Sequence, residues 1–381
     1  AVVAVRDARR AAAAGIPEAL LTDAPAHLVA SPDVDIVVEL IGGDEPARTL
    51  IAAALAAGKP VVTANKHVIA RHGPVLEALA RSAGSALRFE AAVAGGIPIL
   101  GALGEGLAAN RIERVRGIVN GTTNFILTAM AERRRPYAAS LVDAQRAGYA
   151  EADPAGDVEG DDARNKLVIL ARLAFGEWLD PASIEPRPAT VSGLGRAGIS
   201  GVSLEEVLAA AAHGLRLKLL VDARRPGDPA TPGPGIEARV QPVALAADSG
   251  FGRTGGIGNR IEVEAAPLGR FDLAGPGAGG GPTSSAVLAD LVAIARGAGS
   301  TWAGLAPASE RAAEAVPADP DAARRWFFQS VLPEQLIRDQ LDLEAAAADG
   351  FVTVAQPLGE LRAGLGALGI EATLYPIEDV A

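Results

Sequence analysis

Cysteine is absent from the 381 residues, so disulfides, a thiolate nucleophile and thiolate-ligated zinc are all excluded. Lysine is scarce: Lys59, Lys66, Lys166 and Lys218 are the only four among 35 basic residues. Arginine keeps its proton in proteins, whereas a partly buried lysine can release one, so each retained lysine is a candidate for proton transfer. Basic charge is short overall, 35 Lys+Arg against 46 Asp+Glu, and the net −11 disfavours broad attraction to nucleic acid or an anionic membrane. Long apolar runs are also missing. The longest, Ala91 to Gly104, is about 14 residues against the ~20 needed to span a bilayer. The opening residues, Ala1 to Asp7, lack the basic-then-apolar layout of a signal peptide, which makes a cytoplasmic protein the expectation.

What is present is enough apolar residue, 49%, to bury a large core divided into two or three domains. Over residues 1–107 short apolar runs alternate with Ala-rich helical stretches: Val2 to Val5, Ile36 to Leu40, Val61 and Val62, Leu87 to Val93. That rhythm predicts βα units building a parallel sheet, with ligands beyond the carboxyl ends of the strands. The first run ends at Arg6-Asp7, where a dinucleotide fold reads the adenosine ribose. An acid suits a free 2′-hydroxyl and an Arg suits a 2′-phosphate, so the cofactor is NADP or NAD, with Arg6 leaning toward NADP. The next run ends in Gly42-Gly43, and the third ends Thr63-Ala-Asn65-Lys66, three polar side chains on one strand tip. A G-x-G-x-x-G turn is expected about 20 residues ahead of the ribose-reading position and is not found, so the dinucleotide fold reads as incomplete by one βα unit.

Residues 149–166 carry the densest chemistry, with six carboxylates between Glu151 and Asp162 running directly into the apolar helix pattern Leu167, Val168, Ile169, Leu170 and Leu173. Asp162 and Lys166 stand four apart and share the side that Ile169 and Leu173 continue inward, while Arg164 and Arg172 fall on other faces. An inward carboxylate and ammonium cost several kcal/mol unless paired or at work. The acidic run fails the EF-hand spacing from either Asp153 or Asp157, so calcium is not its ligand.

Three further stretches lie near helix starts. Glu90 to Pro98 breaks from a strand into Gly95-Gly96, whose exposed carbonyls could hold a hard monovalent cation. Asn120 to Asn124 reads as a polar turn before a helix opening at Phe125, with amides suited to a carboxylate guest. Gly275 to Ser284 is glycine-rich ahead of a helix from about Ser285, without the Lys of a Walker motif. Ser203-Leu-Glu-Glu206 is a capping box, and its helix ends at His213-Gly214, which makes His213 a cap. Lys218 lies on the following strand without a motif. Residues 301–381 read as a separate small unit after a linker at Ala315 to Pro320, with three strands at Trp326 to Leu332, Phe351 to Val354 and Thr373 to Ile377.

Taken in order, V-V-T-A-N-K (61–66), E-A-A-V-A-G-G-I-P (90–98), G-I-V-N-G-T-T-N (117–124), G-Y-A-E-A-D-P (148–154), D-V-E-G-D-D-A-R-N-K (157–166) and G-P-G-A-G-G-G-P-T (275–283) resemble homoserine dehydrogenase. The resemblance runs from residue 1 to about 300. It implies NAD(P)-dependent interconversion of L-homoserine and L-aspartate 4-semialdehyde on the route to threonine and methionine. Carried over, Lys166 and Lys66 stand at the reacting hydroxyl and Asp162 orients the substrate. Glu151 takes the substrate ammonium, and Tyr149, Thr122, Asp157 and Gly121 line the pocket. Arg6, Gly42, Thr63, Asn65, Lys66, Gly277 and Gly279 form the cofactor site, and the backbone carbonyls of Glu90, Val93, Gly95 and Ile97 match a sodium-type site.

The fold class implied is α/β, an incomplete Rossmann-like parallel-sheet nucleotide-binding domain (1–107) with a helix at 285–298 packing back on it. An α+β catalytic and dimerisation domain (108–283) follows, then a small C-terminal α+β unit (301–381) where relatives carry a βαββαβ ACT domain. Relatives pair through the middle domain, so a homodimer is expected. Asp161 departs from the family, which usually has an apolar residue there, and is expected to loosen the helix start. Two other readings stand beside this one: a cofactor-free homologue serving as an amino-acid-binding or structural subunit, and another amino-acid dehydrogenase on the same scaffold.

Overall fold

The computed structural model describes residues 1–381 apart from 229, 230, 234, 320 and 379–381, so part of the predicted loop at 225–235 lies outside the described residues. At the N-terminal end, β1 (Val3–Ala4) pairs in parallel with β2 (Leu21–Thr22). A second parallel sheet has the order β3 (Val37–Glu39), β4 (Val61–Thr63), β5 (Leu87–Arg88). Val61 and Val62 of β4 are buried on both faces, as in a sheet covered on both sides, while Val38 of the edge strand β3 is exposed. The strand predicted over Leu87 to Val93 stops at Arg88 because Glu90–Ala92 turns into a 3-10 segment.

Helix α1 (Lys66–Ala83) follows β4 directly, capped by Asn65, whose side chain accepts from Val68 N at 3.2 Å. Strand β6 (Arg111–Ile118) runs into helix α2 (Gly121–Arg133) without the turn expected at 120–124. Asn120 is instead the N-cap, accepting from Thr123 N at 2.8 Å, so the Asn-Gly pair starts a helix and does not close a hairpin. Helix α3 (Asp161–Phe175) begins at a left-handed Gly160, and Asp161 in its first turn pairs with Arg164 at 2.5 Å. A carboxylate in that position favours the helix dipole, so the departure at Asp161 leaves the helix start intact.

Gly73 of α1 lies directly against the ring of Trp178, just beyond the end of α3, where a Cβ would come within 2.6 Å of the indole. Beside that contact Arg172, on a different face from Asp162 and Lys166, is fully buried. Its Nη2 and Nε donate to Glu77 at 2.6 and 2.9 Å, and Trp178 Nε1 donates to the same carboxylate at 2.8 Å. Ile169 and Leu173 point inward as their spacing requires.

The middle of the chain builds a wide mixed sheet. Besides β6 it contains β7 (Ala189–Thr190), β8 (Leu215–Arg224), β9 (Glu237–Ala246), β10 (Gly258–Ala266) and β11 (Gly269–Pro276). The capping box at Ser203 and Glu206 forms as predicted, and His213 ends that helix with Nε2 2.9 Å from Gly350 O. Helix α4 (Gly280–Ala295) starts earlier than Ser285 and packs back on the N-terminal sheet, where Asp290 takes Arg88 Nε and Glu90 N, each at 2.8 Å.

The C-terminal residues hold four strands, not three: β12 (Trp326–Gln329), β13 (Leu343–Ala347), β14 (Gly350–Thr353) and β15 (Thr373–Glu378). With helices at Glu334–Arg338 and Leu358–Ala367 the order is βαββαβ. The overlooked strand, Leu-Glu-Ala-Ala-Ala, has helix-forming residues. It becomes a strand through pairing with β14 across a turn at Ala348 and Asp349, both at positive φ. Nor is this unit separate. β15 pairs in parallel with β9, giving one sheet in the order β11-β10-β6-β8-β9-β15-β12-β14-β13, with β7 also on β15. Glu378 fastens the junction through Arg114 at 2.9 Å and through Arg239. The expected linker is likewise tied down, Val316 N donating to Ile236 O at 2.8 Å.

Candidate active site

The centre of the site is the Asp162 carboxylate. It projects from the first turn of α3 and is almost wholly buried. Oδ2 accepts from Lys166 Nζ at 2.7 Å, one helical turn further along, and from Asn120 Nδ2 at 2.8 Å. Oδ1 stands 2.9 Å from Lys66 Nζ, at the first position of α1. Two lysines from separate elements of the chain, Lys66 on α1 and Lys166 on α3, thus share one carboxylate. Lys166 Nζ also donates to Val119 O at 2.7 Å, which leaves one position for an exchanging proton.

The electrostatics differ at each of the three groups. Burial alone would raise Asp162, but the Lys166 and Lys66 ammoniums override it and hold the carboxyl far below its usual range. Lys66 is raised, chiefly by the Asp162 charge, with Asp157 and Glu151 adding to it. Lys166 is lowered because burial outweighs its attraction to Asp162, and Lys66 repels its proton further. Mutual depression of two adjacent lysines is therefore realised in Lys166 alone. The carboxylate between them reverses the effect at Lys66.

The pocket residues gather around this centre. Asn120 Nδ2 lies 2.7 Å from Asp157 Oδ1. Thr122 Oγ1 lies 2.6 Å from Tyr149 O and 3.0 Å from Asp157 Oδ2. Gly121 opens α2 next to them, where a Cβ would meet Ile257 O at 3.0 Å. Tyr149 is 41% exposed and packs edge-on against Phe125 at 5.1 Å, so its ring is available at the rim. Glu151 is exposed, close enough for its charge to be felt at Lys66, and has no ion-pair partner within 4.0 Å among the described residues. Asn120 was not among the predicted site residues. Its signal was the Asn-Gly that opens α2, which composition alone reads as a turn.

The predicted cofactor residues divide into two kinds. Thr63 is fully buried, donates to Glu39 Oε2 at 2.6 Å and accepts from Asn65 N, so its hydroxyl is spent inside the protein. Glu39, also missed from sequence, accepts from Ile41 N at 2.6 Å and Gly42 N at 3.2 Å, and Asn65 Nδ2 donates to Gly43 O at 2.9 Å. Together these build the Gly42-Gly43 turn, whose backbone at φ +77° and +69° faces open space. Arg6 is exposed, since the adjacent Asp7 is turned to cap the next helix at Arg10 N.

Gly277 and Gly279 lie on the loop leading to α4. A Cβ at Gly277 would strike Asn259, whose buried amide has no hydrogen-bond partner among the described residues. An orphaned amide beside a bare backbone fits the polar end of a dinucleotide. The loop from Glu90 to Ile97 touches this one, Gly96 N donating to Pro276 O at 3.1 Å. The Glu90 side chain is not a ligand there. Burial pushes its carboxyl up to about 7, although it accepts from Leu100 N and Gly101 N. The carbonyls of Glu90 and Ile97 accept from Val93 N and Ile99 N, while no backbone amide among the described residues reaches those of Val93 or Gly95. These four carbonyls could hold a monovalent cation with Val93 and Gly95 as the readiest donors.

Because the folded Asp162 is depressed below its ordinary 3.8, its stabilising contribution is complete above that value and disappears as pH falls through the folded pKa. Asp162→Asn is therefore expected to be less stable than the parent chain at pH 6. In urea melts that gap narrows steadily below about pH 4.

Comparison with known proteins agrees with the geometry. Residues 98–292 match the Homoserine dehydrogenase family, and residues 1–90 match its NAD binding domain. The Neisseria gonorrhoeae homoserine dehydrogenase is 43% identical over 280 residues, 74% of this chain and 61% of that one. The crystal structure of a homoserine dehydrogenase from Thiobacillus denitrificans superposes with a TM-score of 0.82 at 35% identity, covering 99% of this chain and 90% of that one. A hyperthermophilic archaeal homoserine dehydrogenase in complex with NADPH superposes at 0.60 with 30% identity over 72% of this chain and 75% of that one. The chain spans about six-tenths of the length of the first curated relatives it matches. The fold is α/β, with an NAD-binding region of parallel strands joined to a mixed sheet. With the two lysines and their shared aspartate placed as described, the chain belongs to the homoserine dehydrogenase family.

Proposed function

We propose that this chain interconverts L-homoserine and L-aspartate 4-semialdehyde with a nicotinamide cofactor, the step that serves threonine and methionine formation. The observation that carries this reading is the Asp162 carboxylate shared by two lysines whose proton affinities are pushed in opposite directions. Bound NAD(P) supplies the hydride acceptor or donor. Lys166 takes the hydroxyl proton as the carbinol becomes an aldehyde, because burial keeps its amine ready to accept one. Lys66, held as an ammonium, orients the reacting oxygen. Asp162 fixes both, while Glu151, exposed at the cleft, receives the substrate ammonium. Thr122, Asp157, Tyr149 and Gly121 shape the wall around the substrate.

NADP is the proposed cofactor over NAD, because Arg6 is exposed at the end of β1 while Asp7 is occupied as a helix cap. A cytoplasmic location and a homodimer built on the mixed sheet complete the reading.

Lys166→Met is expected to lower kcat by about 10²–10⁴ while homoserine still binds, and near-normal turnover would sink the assignment. In fluorescence titrations the parent chain should bind NADPH saturably. Arg6→Ala should weaken NADPH by roughly tenfold and leave NADH unchanged, a loss within the range for a charge-assisted bond. Light scattering should give twice the chain mass of 38.6 kDa, and a monomer would remove the dimer.

A further inference from the structure

Two of the four lysines have no place in the chemistry above: Lys59, which is half-buried and donates to Ser31 O, and Lys218, which is buried in unusual surroundings. Five cations are buried among the described residues: Arg88, Arg116, Lys166, Arg172 and Lys218. The first four each meet a carboxylate, respectively Asp290, Glu262, Asp162 and Glu77. Lys218 meets none within 4.0 Å among the described residues. Its Nζ donates to three neutral oxygens, Asn124 Oδ1 at 2.7 Å, Thr254 O at 3.0 Å and Thr128 Oγ1 at 3.1 Å. Three acceptors match the three hydrogens of an ammonium, one more than a neutral amine can donate. The cage can take all three hydrogens of the charged form, and the carboxylate felt there, Glu132, stands beyond ion-pair distance. Burial pushes the group down to about 8.

A cavity of about 200 Å³ opens beside it, lined among others by Thr128, Glu132, Arg216, Lys218, Arg253 and Gly255. Three cations and one carboxylate face this space. Arg216 spends Nη1 on Leu215 O and Arg253 spends Nη1 on Asp248 O. Their remaining guanidinium nitrogens have no protein partner among the described residues. Thr128 Oγ1, having accepted from Lys218, keeps its own hydrogen to donate. The volume is below the roughly 300 Å³ at which sites for drug-sized ligands begin, so the guest is small.

We propose that this cavity binds a small oxyanion, a carboxylate or a phosphate, gripped by the guanidiniums of Arg216 and Arg253 and the Thr128 hydroxyl with the Lys218 ammonium behind them. Guanidinium forks match the paired oxygens of either group. The site lies on the strand β8 side of α2, and does not depend on the reaction assigned to the chain.

The test is calorimetric titration of the full chain with inorganic phosphate and with malonate, each against sodium chloride of equal ionic strength. Saturable heat with at least one oxyanion is expected, weakened at least tenfold in Arg216→Ala. Phosphate alone would mark a phosphoryl ligand, malonate alone a carboxylate, and either supports the site. Lys218→Met should weaken binding similarly. Arg216 is partly exposed and outside the core, so its variant keeps the test readable if Lys218→Met does not fold. Absence of saturable heat beyond chloride, or equal affinity in Arg216→Ala, would overturn the proposal.

Discussion

The structure depends on one buried carboxylate holding two ammonium groups. Asp162 has no role as an isolated charge in an apolar interior, where it would cost several kcal/mol. It is tolerable because Lys66, Lys166 and Asn120 surround it with opposite charge and a donor. The converse also holds: burial works against the Lys166 ammonium, and the carboxylate one turn away offsets part of that cost. Burial and pairing act against each other at every member. The balance separates the two lysines, Lys66 pushed toward a tighter hold on its proton and Lys166 toward a looser one.

The rest of the architecture supplies that centre with its parts. β4 ends at the tip that launches α1 and Lys66, and β6 leads into Val119 and Asn120, which supply a carbonyl and an amide to the centre. α3 brings Asp162 and Lys166 on one face. The turn around Gly42, built by Glu39, Thr63 and Asn65, opens on the same end of the parallel sheet, the end where such sheets take their ligands.

Much of this was legible in the residues because it is local. The pairing of Asp162 with Lys166 follows from a spacing of four, the capping box from Ser203 and Glu206, and the parallel strands from their apolar runs. What escaped were features fixed by distant partners. Spacing puts Arg172 on a different face from Lys166 but cannot show that Glu77, 95 positions earlier, receives it there. Leu343–Ala347 has a helical composition and becomes a strand only beside β14. The union of β15 with β9 joins residues more than 130 positions apart and leaves no periodic trace in either strand. Thr63 was correctly placed at a strand tip, but only three dimensions show that Glu39 already claims its hydroxyl.

The contact at Gly73 governs how these parts can move. A helix bearing one lysine lies directly against an indole ring with no side chain between them, and the same indole is moored to Glu77. Such a joint has no compliant layer to absorb sliding, since close-packed interiors deform little. Arg172 of α3 is bonded to the same Glu77, so the helices carrying Lys66 and Lys166 are tied together here, and any hinge that admits a guest must flex elsewhere.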